Sequence, residues 1–415
     1  MWFYVQHILI AHQLADAALH STPRGNLSDL YPRWLGAREL LLHHRDPYSP
    51  ELTREIQTGY YGRALDPARS EDPTDQQAFA YPIYVVFLLA PTVTLPFAAV
   101  QAGFRWLLIV LIVATVLLWL RVLRWRPSTA TTTAFVVLTL GSFPVLQGIK
   151  LQQLSLLVGG LIVGCVALLD GGSFFLAGVL LALATIKPQL VSLAALWLLL
   201  WAMSDWSRRR NFIWGVVLTL AILCGAAEYV LPGWLGRFRE AMIAYRQYNG
   251  GAESVLDVLV TPSWGRVLAA LALLVLLIVG WRVRRVSSDS RPFAWMLALT
   301  LAVTVMVVPK AAPYNQVLLL PGILLAAQQW QVLWTQNRLT RVIALLACVL
   351  ISWPWLAAVI LTVASLLLPI ESVQKAWAVP VYTSLVIPIA VVAVLSFCLS
   401  DPAGFEPKVS ESPRT

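Results

Sequence analysis

Long apolar runs separated by short polar breaks cover most of the chain, and one extended polar stretch interrupts them near the start. The runs fall at 130–147, 151–169, 173–186, 190–201, 212–231, 267–280, 295–308, 317–333, 342–368 and 379–400, with a further span predicted at 103–124. A hydrocarbon core of ~30 Å takes ~20 apolar residues per helix, and lipid leaves an open sheet edge with unsatisfied backbone groups. The pattern predicts an all-α integral membrane protein of about 12 crossings, a single polytopic domain over 1–400 with a polar cytoplasmic tail at 401–415. Residues 82–98 contain Pro82, Pro91 and Pro96, a spacing that breaks helices, so a broken or re-entrant element is expected there. The opening run turns polar at His12, Gln13 and Asp16 and has no basic residue ahead of it. It reads as the outer part of a first helix rather than a signal peptide.

Basic clusters set the sides. RVLRWR at 121–126, SRRR at 207–210, WRVRRVSSDSR at 281–291 and TQNRLTR at 335–341 belong on the cytoplasmic face by the positive-inside rule. The stretches at 20–79, 148–150, 187–189, 232–263, 309–316 and 369–378 then share the opposite face. The candidate site is then expected on the extracytoplasmic side of the membrane.

Composition narrows the class further. Hydrophobic residues make up 59% of the 415 and charged ones 12%, about half the ~25% of a soluble domain. The net charge of +9 sits in short clusters between apolar runs, where it sets topology; no nucleic-acid partner is expected. Cys165, Cys224, Cys348 and Cys398 all lie inside apolar runs without ligand spacing and read as packing residues. His43 and His44 read as a solvated loop pair, and no phosphate-binding, dinucleotide, zinc-protease or serine-hydrolase motif occurs.

The chemistry therefore falls to the extracytoplasmic face. Nine of the 21 acids and seven of the 30 Lys/Arg lie between 20 and 79. Within this stretch Leu30, Trp34, Ala37 and Leu41 recur at helical spacing while Arg33, Arg38 and Glu39 point elsewhere, the pattern of an amphipathic helix lying along a membrane surface. Asp29 stands at its first turn. Asp or Ser just ahead of Pro32 is also an ordinary helix start signal, and the two readings are compatible. Lys187 is a cation between two apolar runs, followed by Pro188; such a residue faces a cavity or snorkels to the interface. Lys150 stands on the same face with Gln147, Gln152 and Gln153 around it. Cations there suit the anionic head group of a lipid. Arg105 and Lys310 read as snorkelling residues, Glu228 as a minor candidate near a helix end. Tyr314 and Asn315, in a Pro-bounded outer loop, read either as site residues or as a belt aromatic and a turn.

The order of several short motifs resembles glycosyltransferase family 87. These are Asp29-Leu30-Tyr31, then Ala37-Arg38 with Leu40-Leu41, then Asp46-Pro47-Tyr48 with Pro50, then Tyr81-Pro82-Ile83, PVLQG at 144–148 with the Gln152-Gln153 pair, and Lys187-Pro188-Gln189. The resemblance runs over about residues 24–325. It implies a GT-C-like bundle with a long first extracytoplasmic loop, which takes a sugar from a polyprenyl-phosphate lipid and passes it to a glycan or glycolipid. Mannose is the default sugar, and a pentose is the alternative. It implies Asp29 as general base and Lys187, with Lys150, on the lipid phosphate, while Arg38, Tyr31, Gln152, Gln153, Tyr314 and Asn315 contact substrate. Such a donor leaves as a stable anion, so one carboxylate suffices for the proton of the attacking hydroxyl, and displacement inverts the anomeric centre. The outer loops hold carboxylates for a divalent cation, but no spacing demands one. The late outer loop PKAAPYNQ lacks the family's frequent histidine, so Tyr314 or Asn315 acts differently there or catalysis is impaired. A lipid-linked-sugar transporter or flippase and a non-catalytic relative are the competing readings; the first would place ionisable residues at mid-helix.

Overall fold

The computed structural model describes residues 1–20, 28–66, 68, 69, 72, 73, 75–248 and 253–398. The tail expected from 401 lies outside them. Among the described residues every regular element is helical. Five helices are long and apolar enough to cross a membrane: Phe97–Val122, Trp206–Val230, Pro262–Arg282, Arg338–Leu367 and Ile370–Phe397. A sixth arises if Thr129–Leu140 and Phe143–Lys150, bent by 55° at their junction, form one span. The runs predicted at 151–169, 173–186, 190–201 and 295–308 form the shorter apolar helices Leu154–Asp170, Phe174–Ala184, Pro188–Met203 and Arg291–Val307, below the ~20 residues a perpendicular crossing takes. The run at 317–333 is broken into the 3-10 segment Pro313–Leu319 and the helices Leu320–Gln328 and Trp330–Thr335. Residues 82–98 hold only the short helix Val85–Leu89 and a 3-10 turn before Phe97, in keeping with their prolines.

Arg291–Val307 is the central element. Every residue from Phe293 to Met306 is buried, as expected of a helix that is apolar on all sides. Thr300 and Thr304 satisfy their hydroxyls on the carbonyls four residues back, at 2.7 and 2.8 Å, and Trp295 donates to the Leu395 carbonyl at 2.9 Å. This helix delivers the chain into the loop that carries Tyr314 and Asn315.

Elsewhere helices approach through glycine, as lipid-embedded helices do where small residues let backbones meet. A Cβ at Gly178 would stand 2.2 Å from the Phe212 carbonyl oxygen, and one at Gly215 would stand 2.2 Å from that of Phe175. The helices Phe174–Ala184 and Trp206–Val230 must separate to admit a side chain. Gly178→Val is therefore expected to lower the thermal unfolding midpoint in detergent, at a cost of about 1–3 kcal/mol from overpacking. An unchanged midpoint would show that the contact is slack.

Among the described residues, several connections between helices meet in two groups. Arg124 pairs with Asp170 at 3.3 Å and with Asp289 at 3.1 Å. Arg209 donates to the carbonyls of Trp201 at 2.8 Å and Val286 at 3.0 Å, with its guanidinium 4.0 Å from the Trp201 ring centre. These bonds tie together the basic clusters at 121–126, 207–210 and 281–291. The other group is tied by Asp46 with Arg237 at 2.5 Å, by Tyr245 donating to Asp75 at 2.9 Å and by the amides of Lys310 and Ala311 on the Glu253 carbonyl at 3.1 and 3.0 Å. It joins the first polar stretch, the second, which forms the helices Trp234–Tyr248 and Val255–Leu259, and the late loop.

Candidate functional site

The site begins where residues 28–30 lead into the helix Tyr31–His43. The helix starts at Leu30 with no side-chain cap. Ser28 takes the local duty instead, its hydroxyl accepting from the Leu30 amide at 3.3 Å. Asp29 is thus not the cap of this helix, and its carboxylate is turned toward a different element.

That element is the corner at 151–153. The Asp29 amide donates to the Leu151 carbonyl at 3.0 Å. Gln152 has a left-handed φ of 47°, which sends two successive side chains in different directions. Gln152 accepts from the Ser28 hydroxyl at 2.6 Å and donates to the Ile149 and Lys150 carbonyls at 2.6 and 2.8 Å. Gln153 donates through Nε2 to Asp29 Oδ2. The glutamine pair therefore docks the Ser28-Asp29 pair residue for residue.

From Gln153 the network continues inward. Lys187 Nζ donates to Gln153 Oε1 at 2.9 Å and to Ser155 Oγ at 2.6 Å. The Ser155 hydroxyl donates in turn to Asn315 Oδ1 at 2.8 Å. The Tyr314 ring centre stands 5.1 Å from Lys187 Nζ. Lys187 sits in the turn between Phe174–Ala184 and Pro188–Met203 and is only 6% exposed. Asp29, Gln153, Lys187, Tyr314 and Asn315, expected from sequence to act together, are thus parts of one arrangement, with Gln152 supporting it.

Burial shapes the electrostatics. It raises the Asp29 carboxyl above its ordinary range and Asp75 adds to the rise, while Arg33, Lys187 and Lys310 oppose it. Burial, then the charge of Arg33, brings Lys187 down to about 7, with Asp29 pulling the other way. No carboxylate bonds Lys187 directly; among the described residues its partners are the neutral Gln153, Ser155 and the Tyr314 ring.

Three expected contributors lie elsewhere. Lys150 reaches Gln6 at 3.4 Å, on the opening segment of the chain, and its charge neighbour is Arg105. Tyr31 packs on Phe97 and Trp34 with ring centres 5.1 and 6.1 Å apart. Arg38 lies over the Trp34 ring at 5.5 Å. Tyr31 and Arg38 are seven residues apart and share a face, which turns toward that aromatic cluster and away from Asp29.

Arg33 and Glu39 are corrections in the opposite sense. Arg33 donates to the Asp29 carbonyl and lies 4.4 Å from the Tyr81 ring centre. Glu39 is buried and bonds Arg45 at 2.9 Å and His43 at 3.1 Å. A single apolar stripe does not describe this helix, because Pro32, Trp34, Gly36, Ala37, Glu39 and Leu40 are all buried. At Gly36 a Cβ would meet the Phe79 ring at 2.3 Å. Lys310, expected to snorkel, bonds Asp75 at 3.4 Å and Tyr245 at 3.2 Å from a left-handed backbone at φ 71°. Glu228 accepts from the Gly233 amide at 2.7 Å and closes a turn. Ser155 was not anticipated, although it follows the glutamine pair by two residues in the sequence.

No curated protein and no solved structure matches the chain. One family does. Its matched span holds Tyr81, the glutamine pair, Ser155 and Lys187, whereas Asp29, Tyr314 and Asn315 lie outside it and join the site by geometry alone. The family model for glycosyltransferase family 87 matches residues 79–309, more than half of the chain, and the chain belongs to that family.

Proposed function

We propose that this membrane glycosyltransferase moves a sugar from a polyprenyl-phosphate donor to a hydroxyl of a glycan or glycolipid, in a GT-C-like bundle on the extracytoplasmic face of a plasma membrane. The observation that carries the reading is Lys187, a buried cation held by neutral groups and linked through one amide to Asp29. A buried charge is costly unless paired, and the phosphate of a lipid donor supplies the missing anion. The acceptor oxygen attacks the anomeric carbon as its proton passes to Asp29. The bond to the phosphate oxygen breaks, the electron pair stays on that oxygen, and Lys187 stabilises it. One displacement inverts the anomeric centre.

The described buried charged side chains, Glu39, Asp72, Lys187 and Arg209, sit in loops or near helix ends, which favours surface chemistry over transport through mid-membrane. Mannose is the first sugar to try. Purified protein with polyprenyl-phosphate mannose and a panel of glycan and glycolipid acceptors is expected to release polyprenyl phosphate in step with product. Accumulation of labelled donor in vesicles without covalent transfer would overturn the reading.

A further inference from the structure

Gln153 presents an arrangement that the transfer reading does not by itself require. Its carboxamide has one hydrogen-bonding end on the acid and the other on the cation of the site. A protonated Lys187 can only donate, and an ionised Asp29 can only accept. One orientation of the amide serves both, and it is the one present. The residue is 3% exposed, and its backbone is pinned by a 2.8 Å bond to the Gly148 carbonyl. It stands at the N-cap of Leu154–Asp170 yet makes no side-chain cap, so its side chain is committed sideways to the site.

We propose that Gln153 is a positioning residue that keeps the acid and the cation apart and in register, rather than a ligand of donor or acceptor. The inference rests on the transfer reading above. A direct contact between Asp29 and Lys187 would neutralise each by the other, leaving a weaker base and a screened cation. With the amide between them, Lys187 gives two N–H groups to Gln153 and Ser155 and keeps a third for an anion. Asp29 keeps Oδ1, which accepts no bond among the described residues, for the acceptor hydroxyl. The titratable groups that face Asp29 besides Lys187 are Arg33 in the first turn of the helix that follows, Asp75 from the first polar stretch and Lys310 from the late loop. Tyr81 and Tyr314 respond to the Asp29 charge, and Tyr245 faces Arg33. None of these bridges the acid to Lys187.

The test is the pH profile of kcat/KM for the donor in Gln153→Met and Gln153→Glu, beside the unaltered enzyme. Met keeps the length and removes both bonds. The acid limb is expected to rise by about one pH unit, a tenfold loss on that limb, because the ionised carboxylate loses a donor. Glu adds a like charge beside Asp29 and a partner for Lys187, so both limbs are expected to rise, together with the KM for donor. A uniform fall in activity with both limbs in place would overturn the proposal, as would full activity in both variants. Unfolding of both variants in detergent would overturn it too, since the side chain would then serve the fold. Absence of donor turnover by the unaltered enzyme would instead remove the transfer reading, and that is seen before any variant is made.

Discussion

Asp29→Asn is expected to cut sugar transfer by about 100- to 10,000-fold, the range that a positioned general base contributes. Asn preserves the shape and still offers an oxygen to Gln153 Nε2, so the loss would be chemical rather than architectural. Burial raises the Asp29 carboxyl, which has two consequences. The acid limb of kcat/KM falls above the ordinary carboxylate range, and activity drops as pH falls through it. The second concerns the fold. A carboxyl whose folded pKa exceeds its unfolded one binds more protons when folded, so its contribution to stability declines as pH rises through that interval. A neutral amide removes that penalty, and the unfolding midpoint of Asp29→Asn near neutral pH is expected to be no lower than that of the unaltered protein. Turnover at the original rate would dismiss Asp29 as the base; a collapsed midpoint would make it structural.

The class was legible because it rests on an average over many residues. Hydropathy needs no partner to be recognised, and the basic clusters at 121–126, 207–210 and 281–291 do meet. Asp29 and Lys187 were legible for a related reason: a charge beside apolar runs is conspicuous, and a shared face made a shared site plausible. The glutamine pair was visible as a motif, but the division of labour within it was not. That division depends on the left-handed backbone at Gln152, which no local pattern announces for a residue other than glycine or asparagine.

Direction was the weak point. Lys150 stands two residues from Gln152, yet its side chain leaves for Gln6, 144 positions away. A helical wheel with one apolar stripe turns Arg33 away from the packed face. The helix Tyr31–His43 is instead covered on several sides, by Phe79 against Gly36 and by Tyr81 under Arg33, and those partners are distant in the chain. Helix continuity failed in the same way. The run at 317–333 reads as one crossing, yet it folds as the 3-10 segment Pro313–Leu319 followed by the helices Leu320–Gln328 and Trp330–Thr335.

Lys187→Met should then remove the cation while keeping the length of the side chain, and kcat/KM for the donor is expected to fall by about 100- to 1,000-fold, the cost of losing one stabilising donor at a developing anion. The more telling result lies in pH. With its pKa near 7 in the free site, Lys187 is positive below that pH and neutral above it. A polyprenyl-phosphate donor, as proposed above, is a phosphodiester with one constant negative charge, so its binding would favour the protonated lysine and draw in a proton. Donor affinity is expected to weaken about tenfold for each pH unit above 7, for as long as the bound lysine stays charged. Equilibrium binding of donor to the Asp29→Asn protein isolates this effect from turnover. Adding Lys187→Met to that background should flatten the dependence between pH 7 and 9, because the cation that titrates near 7 is then gone. If the slope survives in the double variant, the titrating cation is another one; Arg33 and Lys310 are excluded because their surroundings raise both, and Lys150, lowered by burial, is the first to replace.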